Sequence, residues 1–173
     1  MERVKYRLGY SNGLIVPSRG RSGGLALLWS GDTNLEIKSY SNHHIDALII
    51  EPETGFTWGY TGFYGYPKNH LREESWKLIS FLNNQYCLPW FCYGDFNKIL
   101  SMNEKAGGAH HPQSQMEGFY QEVNSCCFQD LGYYGLDFTW SNLKEGSHRI
   151  LLRLNRAFAT SEWLKHFRDP KVH

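Results

Sequence analysis

The repeat of the apolar residues changes partway along this chain, from strand-like to helical spacing, and that change narrows the fold more than any composition figure. Leu25-Ala26-Leu27-Leu28-Trp29 is continuously apolar, the pattern of a strand buried on both faces. It follows a run, Ser18 to Gly24, that reads as a flexible loop. Leu35 to Tyr40 alternates as Leu-Glu-Ile-Lys-Ser-Tyr, a half-exposed strand. Ile45 to Ile50 and Phe56 to Tyr64 are further strands, with turn signals at Gly31-Asp32 and Pro52 to Gly55. Strands joined by such short turns predict an antiparallel meander.

Helical spacing begins at Leu71. Trp76, Leu78, Ile79 and Leu82 fall at helical spacing over Leu71 to Asn84, with Glu73 and Glu74 in the first turn, where the helix dipole favours negative charge. Pro89 opens an apolar strand that ends at Asp95. Ser114-Gln115-Met116-Glu117 reads as a capping box. Behind it Met116, Phe119, Tyr120, Val123 and Cys127 make an amphipathic helix stopped near Gly132. Phe138 to Trp140 and Ile150 to Phe158 read as strands, and Ser161 to Phe167 as a short helix capped by Ser161. Strands and helices mix without βαβ order. The expected class is therefore α/β in the α+β sense: a four-layer sandwich of two mixed, largely antiparallel sheets flanked by helices.

The 173 residues suit one domain, 1–173, and 16% aromatic residues supply a substantial core. A net charge of +1 gives no global basic field, so composition does not imply nonspecific polyanion binding. Cys87, Cys92, Cys126 and Cys127 form no CxxC pair and no zinc spacing. They read as reduced, mostly buried thiols of a nuclear or cytoplasmic protein. The start, Met1 to Arg7, has no apolar h-region of a secreted protein, and no stretch is long enough to span a membrane.

One tetrapeptide carries chemistry. Gly94-Asp95-Phe96-Asn97 closes the apolar run from Pro89. In an extended strand, positions i and i+2 share a side, which places a carboxylate and a carboxamide together. Such a pair suits phosphodiester hydrolysis: Asp95 orients or deprotonates a water, and the Asn97 amide donates to that water or to a phosphate oxygen. Gly, Asp and Asn also close strands simply as turn residues.

The ordered set Gly23-Gly24-Leu25-Ala26-Leu27-Leu28-Trp29, His44-Ile45-Asp46, Thr61 to Pro67, Arg72, Ser75-Trp76, Pro89-Trp90, Gly94-Asp95-Phe96-Asn97, Glu104 to Gly108, Gln115-Met116, Asp130-Leu131-Gly132, Phe138 to Asn142 and Arg153-Leu154-Asn155-Arg156 resembles the endonuclease/exonuclease/phosphatase superfamily. It is most like the apurinic-type endonuclease domains of plant LINE-type non-LTR retroelements. The resemblance implies a four-layer sandwich that cuts phosphoesters with Mg²⁺, and DNA as the partner. It implies that Asp95 aligns the attacking water and Asn97 contacts the phosphate. Tyr64 stands where the family has an active-site tyrosine, with Tyr66 as a rival. Arg72 is either a contact to the DNA backbone, a solvated residue or the partner of a nearby Glu. Phe138 and Trp140 either line the wall beside an extruded nucleotide or pack. His43 and His44 are structural.

The resemblance is incomplete. The family's first-strand Asn and its metal-binding Glu would lie upstream of Met1, and its terminal Ser-Asp-His would lie beyond His173. Asn155 replaces an Asp that supports the catalytic His and carries no charge for an imidazolium. These departures imply a domain truncated at both ends, a Mg²⁺ site with most ligands missing, and strand edges free to self-associate. The resulting readings are a DNA-nicking retroelement endonuclease inactive as this fragment, a non-catalytic remnant or binding module, and a phosphatase of small phosphoesters or lipids.

Overall fold

A computed structural model describes residues 2–20, 22–85 and 87–173, without the side chains of Glu2 and Gln115. In chain order the elements are α1 (Glu2–Arg7), β1 (Asn12–Val16), β2 (Leu25–Trp29), β3 (Asn34–Ser41), β4 (His44–Ile50), β5 (Thr57–Tyr64), α2 (Arg72–Asn83), β6 (Trp90–Asp95), β7 (Lys105–Ala106), α3 (Gln113–Ser125), β8 (Phe128–Asp130), β9 (Trp140–Ser141), β10 (Leu151–Leu152), β11 (Asn155–Thr160) and α4 (Ser161–His166).

The main sheet runs β3-β4-β5-β6-β11-β8. The meander β3-β4-β5 is antiparallel, as the alternating pattern predicts. β5 and β6 are parallel, and α2 makes the crossover that a parallel pair requires. β11 then pairs antiparallel with β6 and β8. The remaining strands form a β1–β2 hairpin and a three-stranded ribbon, β7-β10-β9. The mixed α+β class holds, with several sheets flanked by helices.

One face of the main sheet packs on α2 and α3. Phe63, Trp90, Cys92 and Phe158 from the strands meet Ile79 and Leu82 of α2 and Phe119, Val123 and Cys126 of α3. Phe96 sits among them, its ring 5.0 Å from those of Phe63 and Phe158. Buried polar groups on this face are bonded: Thr61 Oγ1 donates to Asp46 Oδ1 at 2.7 Å and accepts from Trp90 Nε1 at 2.9 Å. On the opposite face, Trp163 of α4 stacks on Phe91 at 4.9 Å, while β2 lies against β4 and β5.

Several expectations are corrected. β2 is not doubly buried: among the described residues it pairs only with β1, and it exposes Ala26. Its apolar run covers the main sheet from outside instead of lying within it. The run Ile150 to Phe158 is not one strand. Arg153 and Leu154 break it, sending β10 to the ribbon and β11 to the main sheet. α3 begins at Gln113 with Pro112 at the N-cap position and no side-chain cap, so Ser114 lies inside the helix and the capping box does not form. α4 has Thr160 at its N-cap position, while Ser161 Oγ accepts from Gln129 Nε2. All four cysteines are free; Cys92 and Cys126 are buried, Cys87 and Cys127 exposed. Arg21 of the expected loop and the Gln115 side chain of the expected cap lie outside the described residues.

Candidate active site

The registers of β5, β6 and β11 place three of the expected site residues in one row. Tyr64 ends β5 and is the parallel partner of Asp95; Asn155 opens β11 and is the antiparallel partner of Asp95. Paired residues share a sheet face. Tyr64, Asp95 and Asn155 line a cavity of about 240 Å³, together with Tyr60, Gly62 and the inner side of β2. Gly94 permits this alignment. A Cβ there would stand 1.8 Å from the Phe63 carbonyl oxygen, so any larger residue would push β5 and β6 apart.

Asn97 reaches the site by a different route from the one the strand alternation predicts. β6 ends at Asp95. Phe96 turns into the core, its N–H donating to the Leu154 carbonyl at 2.9 Å. Asn97 then adopts φ 51°, a left-handed conformation that Asn tolerates. Its backbone N–H donates to Asp95 Oδ1 at 2.8 Å, and its side-chain Nδ2 donates to the Gly65 carbonyl at 2.8 Å. The two residues are neighbours through this turn, not through an i, i+2 strand face. The turn occupies Asp95 Oδ1 and gives Oδ2 no partner among the described residues. It also leaves one Asn97 amide proton uncommitted. Burial raises the Asp95 carboxyl above the usual carboxylate range, and the Asn97 N–H partly offsets this.

Of the two rival tyrosines, Tyr64 stands beside Asp95 in the row. Tyr66 lies past the strand end, stacked on His43 at 3.7 Å, with its N–H on Ser75 Oγ at 2.8 Å. His43 Nδ1 meets the Tyr64 carbonyl at 2.8 Å, and His44 is buried between Ser39 and Ser41. Arg72 opens α2. It forms no ion pair among the described residues, and its Nε is buried without a hydrogen-bond partner. Phe138 lines a second cavity, of about 490 Å³, with Tyr93, Arg153 and Asn155. Trp140 does not line it; it is exposed in β9, opposite Leu152.

Sequence reasoning missed the ion pairs that hold this region. Arg156 is fully buried, with Nη1 on Asp130 Oδ2 at 2.8 Å and Nη2 on Glu104 Oε2. Arg153 Nη2 meets Asp130 Oδ1 at 2.9 Å, and its Nη1 lies 3.6 Å from Glu104 Oε1. Glu104 Oε2 also accepts the Leu100 N–H at 2.7 Å, which ties down the segment leaving Asn97. The signal was the presence of Glu104, Asp130, Arg153 and Arg156 in the quoted motifs, but their mutual contact is long-range.

The residues present do not fit a magnesium ion, which takes oxygen ligands in a near-octahedral set. Asp95 is the lone carboxylate in its row, and among the described residues no group of three or more His, Cys, Asp or Glu is placed to hold a metal. No helix among them is long and apolar enough to cross a membrane.

No family model and no curated protein sequence matches the chain. Solved structures do. The chain is similar to the endonuclease domain of TRAS1, a telomere-specific non-LTR retrotransposon, with a TM-score of 0.62 and 12% identity over 89% of this chain and 68% of that one. It is similar to the 3′ phosphatase NExo from Neisseria, bound to product DNA hairpin, with a TM-score of 0.63 and 12% identity over 92% of this chain and 70% of that one. An endonuclease/exonuclease/phosphatase family protein from Bacteroides thetaiotaomicron gives a TM-score of 0.56 and 16% identity over 92% of this chain and 64% of that one. The likeness is one of fold, and the chain spans about two thirds of each neighbour.

Proposed function

We propose that this chain carries the water-positioning half of a phosphodiester hydrolase site directed at DNA, of the kind found in retroelement endonucleases, and that the 173-residue polypeptide alone does not turn over. The observation that carries the reading is the row Tyr64–Asp95–Asn155 with Asn97 folded back onto Asp95. Asp95 Oδ2 accepts a proton of the attacking water and orients it. A carboxyl whose affinity for protons is raised by burial is the stronger base once ionised. The free amide proton of Asn97 and the Tyr64 hydroxyl donate to non-bridging oxygens of the scissile phosphate. Asn155 flanks Asp95 without adding charge, so it neither competes with the phosphate nor supports an imidazolium. Magnesium, when supplied, would neutralise charge on the phosphate. The described residues offer it no adequate ligand set, which is why turnover by this polypeptide alone is not expected.

The test is nicking of supercoiled plasmid with Mg²⁺, beside Asp95→Ala and a duplex-binding assay at low salt. The expected result is DNA binding with no nicking above the Asp95→Ala background. Nicking that Asp95→Ala abolishes would remove the claim of inactivity, and absence of duplex binding would discard the DNA-directed reading.

A further inference from the structure

A group of basic side chains, Lys98 buried and Arg72 and His111 partly so, lies beside the Asp95–Asn97 turn with no counter-charge among the described residues. Lys98 is only 6% exposed, yet it forms no hydrogen bond or ion pair among the described residues. Arg72 and His111 each bury a nitrogen, Nε and Nδ1, with no hydrogen-bond partner. An orphaned buried polar group costs free energy, and a charged one costs more, so two such nitrogens beside a nearly buried lysine call for a ligand.

Three contacts converge on this point. The Asn97 amide on the Gly65 carbonyl and the Tyr66 N–H on Ser75 Oγ tie the turn and the first turn of α2 to one loop, bringing Lys98 to Arg72. Ile99 and Met116 are buried together with Leu154, which docks the start of α3 next to Lys98. His111 lies two residues before α3 begins. The groups sense one another. Burial, and then the Arg72 charge, pull the Lys98 ammonium down to about 8. Burial lowers His111, with further contributions from Lys105, Lys98, Arg72 and His110.

We propose that Lys98, Arg72 and His111 form a seat for one phosphate group beside the candidate active site. An ammonium, a guanidinium and an imidazole N–H offer charge-assisted donors from three directions, the set that a phosphate's oxygens accept. The phosphate belongs either to a nucleic-acid strand or to a free phosphate ester. The cation seat stands on its own geometry, and only the choice of a strand rests on the DNA-directed reading. Under that choice the seat holds a phosphate neighbouring the one presented to Asp95.

The experiment uses the purified chain, Lys98→Met and Lys98→Arg, with two probes: inorganic pyrophosphate and a short DNA duplex. Pyrophosphate should raise the melting temperature of the wild type and of Lys98→Arg. For Lys98→Met the apparent affinity should fall about tenfold, the loss of one charge-assisted contact. In anion-free buffer Lys98→Met should melt no lower than wild type. For the duplex, the slope of log affinity against log salt should shrink by about one in Lys98→Met. A pyrophosphate response with an unchanged duplex slope supports the seat and assigns it a free phosphate. A wild type indifferent to pyrophosphate, or a Lys98→Met that responds as wild type does, overturns the seat. Because no arm depends on strand cleavage, the seat can fail or stand independently of the hydrolase reading.

Discussion

Two sets of wholly or partly buried cations in this chain have opposite surroundings. Arg153 and Arg156 share Glu104 and Asp130, although the Arg156 Nε is buried without a hydrogen-bond partner. Lys98, Arg72 and His111 have no carboxylate partner among the described residues. The first set joins β7, β8 and β11 with the segment leaving Asn97, which is a structural task completed inside the molecule. The second set is left for something outside it. Burial alone does not separate a structural cation from a binding one; the presence of an internal counter-charge does.

The sharpest way to break this comparison is to remove a counter-charge from the paired set. Glu104→Ala leaves Arg156 buried beside one carboxylate and frees the Leu100 N–H. Removing one partner of a buried pair costs about 3–5 kcal/mol. Urea denaturation should show a large drop in midpoint with an unchanged slope. A drop no greater than that of an ordinary surface substitution would show that the arginines are not held as described.

The same contrast explains what could be read in advance. β3, β4, β5 and α2 were legible because one period of apolar residues covers each of them. The split between β10 and β11 was not, since Leu151, Leu152 and Leu154 read as one apolar run across Arg153. Tyr64, Asp95 and Asn155 were legible as residues, whereas their row depends on a parallel register that only the α2 crossover sets. Asn97 was legible as a residue but reached Asp95 by a left-handed turn, which alternation cannot foresee. Lys98 left a trace: it is a lone charge between Phe96 and Ile99-Leu100, in a segment otherwise bound for the core. That it meets Arg72 and His111 was not legible, because both are remote in sequence.

Lys98→Met should have a smaller effect, of the opposite sign. At neutral pH the substitution removes a nearly buried lysine charge that has no ion-pair partner among the described residues, and the melting temperature should rise by about 3 °C, the shift for roughly 1 kcal/mol in a domain of this size. The folded pKa of about 8 lies below the usual lysine value, so between the two the unfolded chain binds more protons. Wild-type stability therefore climbs as pH rises from about 8 to about 10.5, and the advantage of Lys98→Met closes over that window. A constant advantage across it would mean that the lysine is solvated after all.

Asp95→Asn should give the smallest change, and its pH dependence should mirror that of Lys98→Met. The Asp95 carboxyl titrates above the usual carboxylate value because burial disfavours its charge. Below the usual value both folded and unfolded chains are protonated, and there is no penalty. As pH rises through it, the unfolded chain releases its proton first. Stability is then lost until the folded carboxyl also ionises, and it stays lost above that point. The asparagine keeps an oxygen for the Asn97 N–H and carries no charge, so the variant should match wild type in acid and exceed it slightly at neutral pH. Melting curves from pH 3 to pH 7 read this directly. A gain that appears only as acid is withdrawn marks Asp95 as a carboxylate held ionised at some cost to the fold, as a group reserved for chemistry would be. A loss at every pH would make it a turn residue whose charge the fold needs.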